Sequence, residues 1–366
     1  MRKQGLIAMS GGVDSSVAAL LSQNRGFDCI GVTLKLFSAP EDPLRGERKR
    51  SCCSLADVVD ARNVAYQLHI PHYVLNFSAA FGDQVIRKFV ETYEKGETPN
   101  PCIDCNRYIK FDGLLQRAKQ LAIEYLVTGH YARIEQQGSR FLLKKARDLR
   151  KDQSYVLYTM TQEQLAHTVF PLGDLTKEEV RAIALEAGLL NAQKQDSQDI
   201  CFIPGGDYAH FIEEYRGKPA VPGNILDETG LLLGQHQGLI RYTIGQRRGL
   251  GLSFPEPRYV SAKSPADNTL ILGKEGALYR KTLYADTLNL IAWEEPEKPR
   301  QVTVKTRYLQ AEQTARALQV ATDRIRVDFD KPQRAITPGQ AVVLYDGDVV
   351  LGGGTILSAD INQSIA

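Results

Sequence analysis

Residues 5–16, GLIAMSGGVDSS, open the chain with an apolar strand, a glycine turn and the start of a helix in immediate succession. GLIAM (5–9) reads as a buried strand, and Ser15 to Arg25 as a helix with Val17, Leu20 and Leu21 facing inward. Between them lies Ser10-Gly11-Gly12-Val13-Asp14-Ser15-Ser16. Glycines there let the backbone turn tightly and approach a ligand. Amides and hydroxyls then face a helix N-terminus, where the dipole favours a phosphate. A Walker A loop needs GxxxxGK[ST], and no Lys follows here; the dinucleotide pattern GxGxxG is missing as well.

Working outward, strands and helices alternate. Asp28–Phe37 reads as a strand, and Leu55–His69 as a helix with Val58, Val59, Arg62 and Ala65 at helical spacing. HYVLNF (72–77) is a strand, about 79–96 a long helix, ETPNPCIDCN a loop, Asp112–Ala122 a helix and Tyr125–Ala132 a strand. This alternation predicts an α/β, doubly wound parallel sheet. Arg133–Ala146 reads as a hairpin turning at Gln137-Gly138, and Thr176 with Glu179 as a capping box. From about Gly206 glycines and prolines crowd in, and from about Leu278 one short strand follows another. The expected domains are therefore 1–205, the parallel-sheet domain; 206–277, a small β-rich central domain; and 278–366, a C-terminal β-barrel.

Composition is that of an ordinary globular protein, with 43% hydrophobic and 24% charged residues over 366 positions. No apolar run approaches the roughly 20 residues that span a bilayer. The basic start MRKQ precedes an apolar stretch, Leu6 to Met9, too short for a signal peptide, so a cytoplasmic protein without a membrane segment is expected. Net charge is +2, which does not announce nucleic acid, although 144–151 (KKARDLRK) and 45–50 (RGERKR) are locally basic. The cysteines are Cys29, Cys52, Cys53, Cys102, Cys105 and Cys201, with none beyond. So lopsided a set is no structural disulfide framework. Cys29, mid-strand, reads as a core residue; Cys52 and Cys53 carry no assigned role. Cys102 and Cys105 form a lone CxxC, and a structural zinc wants a second pair.

The chain resembles the tRNA-specific 2-thiouridylases, PP-loop ATP pyrophosphatases that thiolate the wobble uridine of certain tRNAs. The resemblance is carried by MSGGVDSS (9–16), CCSLADVVDARNVAYQL (52–68), GETPNPCIDCNRYIKF (96–111), TGHYAR (128–133), KDQSY (151–155) and DSQDICFIP (196–204). GQRRGLG (245–251) and TPGQAVVLYDGDVVLGGG (337–354) extend it to nearly the whole chain. The resemblance implies an ATP site with Mg2+ at Ala8, Met9, Ser10, Gly11, Gly12, Val13, Asp14 and Ser15, with Leu34 near the adenine and Gly129 against the nucleotide. Asn100, Pro101 and Cys102 are implied to line the pocket of a base flipped from the anticodon. His130, Lys151, Asp152, Gln153, Arg307, Tyr308 and Gln340 are implied to touch tRNA, the last three from the barrel.

Replacing a carbonyl oxygen by sulfur needs a leaving group on that oxygen and a sulfur nucleophile. Adenylation supplies the first, and a cysteine persulfide resolved by a second thiol supplies the other. The resemblance makes Cys201 the persulfide carrier and Cys105 its partner, with a disulfide between them after turnover. Some members of the family carry Asp where this chain has Cys102. That departure opens a second route, a [4Fe–4S] cluster on Cys102, Cys105 and Cys201 with one iron left to bind sulfide. The implied partners are tRNAs of the Lys, Glu and Gln type bearing uridine 34, and a sulfur donor such as a cysteine desulfurase or relay protein. Two other classes are weighed: a PP-loop synthetase acting on a small molecule, which leaves the cysteines unexplained, and a non-catalytic RNA-binding protein, which leaves the intact SGGVDSS unexplained.

Overall fold

A computed structural model describes residues 2–37, 55–195, 200–203 and 205–357. Cys52, Cys53, the basic run 45–50, and residues 196–199 and 204 of DSQDICFIP lie outside the described residues. The chain forms two compact units. The first comprises 1–86, 101–206 and 348–350, and the second 87–100, 207–347 and 351–366.

The first unit is built on β1 (Gln4–Ala8), β2 (Asp28–Lys35), β3 (His72–Asn76), β4 (Tyr125–Thr128), the hairpin β5 (Ala132–Gln137) and β6 (Arg140–Lys145), and the short β7 (Thr168–Val169). The sheet runs β3-β2-β1-β4-β7, parallel at every pairing, with Leu6 opposite Ile30 on one side and Leu126 on the other. Its centre is apolar on both faces, as helices on both sides require: Leu6, Ile7, Val32, Leu126 and Val127 are almost wholly buried. Helix α1 (Val13–Asn24) packs through Val17, Ala18, Ala19 and Ser22. The small residues take the tightest contact, so Leu20 and Leu21, expected inward, lie half-buried at its margin. Helix α2 (Leu55–Gln67) likewise packs through Ala61, Val64 and Ala65, leaving Val59 and Arg62 exposed, because the buried stripe runs one step round from the one read in sequence.

A larger correction concerns ETPNPCIDCN, residues 97–106. The stretch read as a loop is helical from Pro101, with an α-turn over Pro101–Asp104, a π-helical run over Cys105–Leu114 and a return to α over Leu115–Gln120. Proline is pre-organised for a first helical position, where its missing N–H costs nothing. Cys102 and Cys105 thus stand on a helix. The capping box at Thr176 is formed, with Thr176 Oγ1 accepting from Glu179 N–H at 3.2 Å and Glu179 Oε2 accepting from Thr176 N–H at 2.7 Å.

In the second unit, β8 (Gly223–Asp227), β9 (Leu232–His236), β10 (Tyr259–Ser264) and β11 (Thr269–Gly273) form a sheet ordered β10-β11-β8-β9 over a core of Ile225, Tyr242, Leu250, Val260, Leu270 and Leu272. Residues 87–100 join this unit through Tyr93, stacked 4.7 Å from Tyr208, and Phe89, 6.4 Å from Phe211. The remaining strands are β12 (Tyr279–Leu290), β13 (Arg300–Lys305), β14 (Gln313–Ala321), β15 (Arg324–Arg334), β16 (Ala341–Asp346) and β17 (Val349–Ile356). Their order, β12-β15-β14-β13-β16-β17, closes on itself because β12 also pairs with β17. The interior of this barrel is filled by apolar side chains, among them Trp293, Val304, Val327, Phe329 and Leu344.

Candidate active site

From β1 the chain winds outward to β2 and β3, then returns to place β4 on the other flank of β1. That reversal leaves a crevice beyond the carboxyl ends of β1 and β4, where open α/β sheets bind ligands. A cavity of about 250 Å³ occupies it. Ala8, Met9, Ser10, Asp14 and Ser15 line it from the first turn, and Val32, Thr33, Leu34 and Leu36 from β2 and its continuation. Thr128, Gly129 and His130 follow β4, and Lys110 and Gln153 complete the wall. Most of the residues expected at a nucleotide thus share one pocket, and Lys110 joins them without having been expected.

The glycine turn has a physical necessity at two points. Gly11 has φ +73°, and a Cβ there would stand 2.2 Å from the carbonyl oxygen of Asp57. A Cβ on Gly129 would stand 2.8 Å from the Asp14–Ser15 peptide, so that peptide is seated directly against β4's end. Within the turn, Ser15 Oγ accepts from Ser10 N–H at 3.1 Å and donates to Gly12 O at 3.0 Å, as Ser16 Oγ does. Asp14 does not cap the helix. Its Oδ1 accepts from Tyr131 Oη at 2.8 Å and from Lys177 Nζ at 2.6 Å. The outer face of the turn is held from far along the chain: Gly11 O accepts from Asn191 Nδ2 at 3.0 Å and Lys194 Nζ at 3.1 Å. Lys194 in turn is clasped by Asp57 and Asp60, at 2.7 and 2.6 Å. Lys177, Asn191 and Lys194 were invisible to sequence reading, since no motif or spacing links residues more than 130 positions apart.

His130 is buried between Phe111 and Phe170, at ring distances of 5.7 and 5.8 Å. Burial first, then the positive Lys110 beside it, hold its imidazole neutral, well below the usual range. Gln153 pairs with Tyr131 in both directions, Oε1 accepting from its N–H at 2.9 Å and its own N–H donating to Tyr131 O at 2.8 Å. Asp152 is buried and accepts from Ala146 N–H, Ser154 N–H and Ser154 Oγ at 3.0, 3.2 and 2.7 Å. These bonds shape the turn that carries Lys151 and Gln153. In the basic run, Lys144 pairs with Glu135 and Asp348, Arg147 with Glu179, and Arg150 with Asp148 and Glu178. Lys144, Arg147 and Arg150 are thus each matched by acidic partners.

Cys29, Cys102, Cys105 and Cys201 are thiols. Cys29 is a core residue whose burial, with Asp28 beside it, pushes its thiol up to about 11. Cys105 is buried, and its neighbour Asn106 ties the helix to the 154–157 turn by donating to Val156 O at 3.0 Å. Cys201 is half-buried ahead of buried Phe202, which packs edge-on against Phe81 at 5.6 Å. Phe81's helix contacts the helix of Cys105, so both sulfur candidates belong to one neighbourhood of the first unit. Cys102 is exposed. Among the described residues no three His, Cys, Asp or Glu side chains gather as an ion-binding group.

In the second unit, Arg307 Nη2 donates to Ala335 O at 2.7 Å and Thr337 Oγ1 at 2.9 Å, and Gln340 Nε2 donates to Thr98 O and Pro99 O at 2.9 and 3.1 Å. Arg307, Gln340 and the strap that ends at Asn100 are thereby tied to one turn, 337–340, with half-buried Tyr308 following Arg307. No helix among the described residues is long and apolar enough to cross a membrane.

A parallel sheet whose first turn is glycine-rich, lysine-free and set at the switch point defines a nucleotide-handling α/β class distinct from P-loop and dinucleotide folds. Family models match three stretches of the chain: a tRNA methyl transferase HUP domain matches residues 3–205, a tRNA methyl transferase PRC-barrel domain 209–274, and an aminomethyltransferase beta-barrel domain 280–356. A tRNA-specific 2-thiouridylase of Symbiobacterium thermophilum is 51% identical over 97% of this chain and 92% of its own length. Another, of Moorella thermoacetica, is 53% identical over 96% of this chain and 99% of its own length. A solved 4-thiouridine synthetase–RNA complex with bound ATP is 16% identical at a TM-score of 0.37, covering 58% of this chain and 50% of that one. This chain belongs to the tRNA-specific 2-thiouridylase family.

Proposed function

We propose that the protein is an ATP-dependent tRNA-uridine 2-sulfurtransferase that converts the wobble uridine 34 of Lys-, Glu- and Gln-type tRNAs to 2-thiouridine. The observation that carries this is the switch-point cavity, lined by Ser10, Asp14, Ser15 and Gly129, in the same unit as Cys105 and Cys201. ATP occupies the cavity, with the turn of Gly11, Gly12 and Val13 at its phosphates and Leu34 beside the adenine. Magnesium accompanies the nucleotide as a hard cation that would neutralise phosphate charge, and Asp14 is the acidic residue among those lining the cavity. Asn100, Pro101 and Cys102 receive the flipped base, and His130, Lys151–Gln153, Arg307, Tyr308 and Gln340 serve the RNA. His130 and Asp152 do so through the backbone they shape, since both are buried.

Uridine O2 attacks the α-phosphorus, and pyrophosphate leaves with the electron pair of the broken P–O bond. The terminal sulfur of a Cys201 persulfide then attacks C2, and AMP departs with O2. Cys105 thiolate attacks Cys201 Sγ, releasing the thiouridine and closing a Cys105–Cys201 disulfide. An external thiol returns two electrons. The persulfide comes from a cysteine desulfurase or relay protein, and the compartment is the cytoplasm. The parallel-sheet domain (1–205) performs the chemistry, while the central (206–277) and barrel (278–366) domains bear on the RNA.

The test is mass analysis of nucleosides from unmodified tRNA incubated with the protein, ATP–Mg2+ and a persulfide donor, with and without iron. Thiouridine at position 34 that is lost in Cys105→Ser and Cys201→Ser, and indifferent to iron, is the expected result. Thiouridine formed only with iron would overturn the persulfide route.

A further inference from the structure

We propose that Lys110 is a catalytic residue of the adenylation step, its ammonium binding a phosphate of the nucleotide in the switch-point cavity. The inference rests on reading that cavity as the ATP site. It starts from a difference among lysines. Lys177 is neutralised by Asp14 at 2.6 Å, and Lys194 by Asp57 and Asp60. Lys110 lines the cavity itself, half-buried, and among the described residues its hydrogen bonding amounts to a 3.5 Å approach to His130 Nε2, with no carboxylate in ion-pair range. A bond of that length is weak. Holding an ammonium partly out of water without a counter-charge is unfavourable, and an arriving anion removes the penalty.

The surroundings aim the ammonium. An ammonium has only donors, so its approach to Nε2 uses the imidazole's lone pair and assigns the ring proton to Nδ1. Nδ1–H then donates to Thr128 Oγ1 at 2.8 Å, and the ring is clamped by Phe111 and Phe170. Thr128 and His130 both border the cavity, so the acceptor that Lys110 approaches is itself held at the cavity wall. The helix contributes a second device. Lys110 and Cys105 both lie in the π-helical run Cys105–Leu114. There the backbone bonds at i+5, so Lys110 lies a little over one turn beyond Cys105. In an α-helix, five residues at about 100° each would turn it roughly 140° away. One helical element therefore carries both the cavity-lining cation and Cys105.

In the reaction this ammonium stabilises charge that builds on the phosphate oxygens as uridine O2 attacks and pyrophosphate leaves, the role positioned cations play in phosphoryl transfer. The same chemistry would serve a phosphate of the RNA backbone, and the measurements separate the two sources.

The test uses the full-length protein with Lys110→Met and Lys110→Arg. Binding of ATP and of adenosine is measured calorimetrically without RNA, and pyrophosphate release is followed with saturating tRNA. Lys110→Met is expected to weaken ATP about tenfold or more, leave adenosine within about twofold, and slow pyrophosphate release about 100-fold, with Lys110→Arg recovering part of each. Equal weakening of ATP and adenosine would mean a structural role and overturn the proposal. Weakened tRNA binding with ATP binding intact would assign the cation to RNA phosphate and overturn it as well. Should Lys110→Met fail to fold, Lys110→Gln takes its place: weakened ATP binding and slowed release beside intact adenosine binding support the cation requirement, and unchanged ATP binding and release overturn it. Wild type that binds no ATP sinks the ATP reading itself, whereas active wild type beside an indifferent Lys110→Met sinks this inference alone.

Discussion

The parallel sheet of the first unit and the closed barrel of the second bury apolar strands in opposite ways. In the sheet the apolar residues run continuously through strand centres, as in Leu6 and Ile7, and the polar groups collect beyond the strand ends. In the barrel they alternate: Ile325, Val327 and Phe329 point inward while Arg324, Arg326 and Asp328 do not. Alternation around a closed ring fills the interior with side chains. An open sheet that reverses its winding direction leaves a crevice that nothing fills. Chemistry on a small ligand therefore belongs to the sheet, and the barrel is left with its outer surface and loops.

The largest test of that division is the pair of thiols. Cys201→Ser should lower thiolation on the order of 10⁴-fold, the scale seen when a covalent group is removed, while leaving ATP binding unchanged by calorimetry. Retained turnover would take the sulfur chemistry away from the sheet unit. Next in size, Phe329→Ala should cost about 3–5 kcal/mol of barrel stability in denaturant unfolding, without altering ATP affinity in the folded protein. A parallel loss of ATP affinity would contradict the separation of roles. Gly11→Ala forces a side chain onto the Asp57 carbonyl at positive φ, and should cost about 1–3 kcal/mol, read as weaker ATP binding and lower thermal stability.

A smaller effect sharpens the second unit. Burial lowers Lys263 from 10.5 to about 8, against the opposing pull of Glu97. Between those two values the unfolded chain holds a proton that the folded one does not, so stability rises with pH across that window. The slope is at most about 1.4 kcal/mol per pH unit. Unfolding of wild type and Lys263→Met compared from pH 7.5 to 10 should show the rise in wild type alone. A common slope would mean Lys263 is better solvated than its packing implies. Smallest, Asn191→Ala should raise the KM for ATP by a few fold, about 1 kcal/mol, by loosening Gly11.

Much of this was readable because it is local. A strand, a glycine turn and a helix in succession announce a phosphate-binding corner, Thr176 and Glu179 announce a helix start, and alternation announces barrel strands. The misread helix at Pro101 shows the limit of composition: proline, asparagine and aspartate favour loops, yet proline also opens helices. The stripe on α2 was displaced for a related reason, since spacing counts apolar residues while packing favours the small Ala61 and Ala65 over Val59.

The sequence alone settled the kind of fold, the position of the glycine turn and the presence of six cysteines, because each is written in residues near one another or in bare composition. Only the tertiary structure decided which lysines are neutralised and which faces the cavity, that Asn191 and Lys194 hold the turn from behind, and that residues 87–100 leave the first unit for the second. Those are pairings across long stretches of chain, set by which surfaces pack in three dimensions, and no local pattern encodes them.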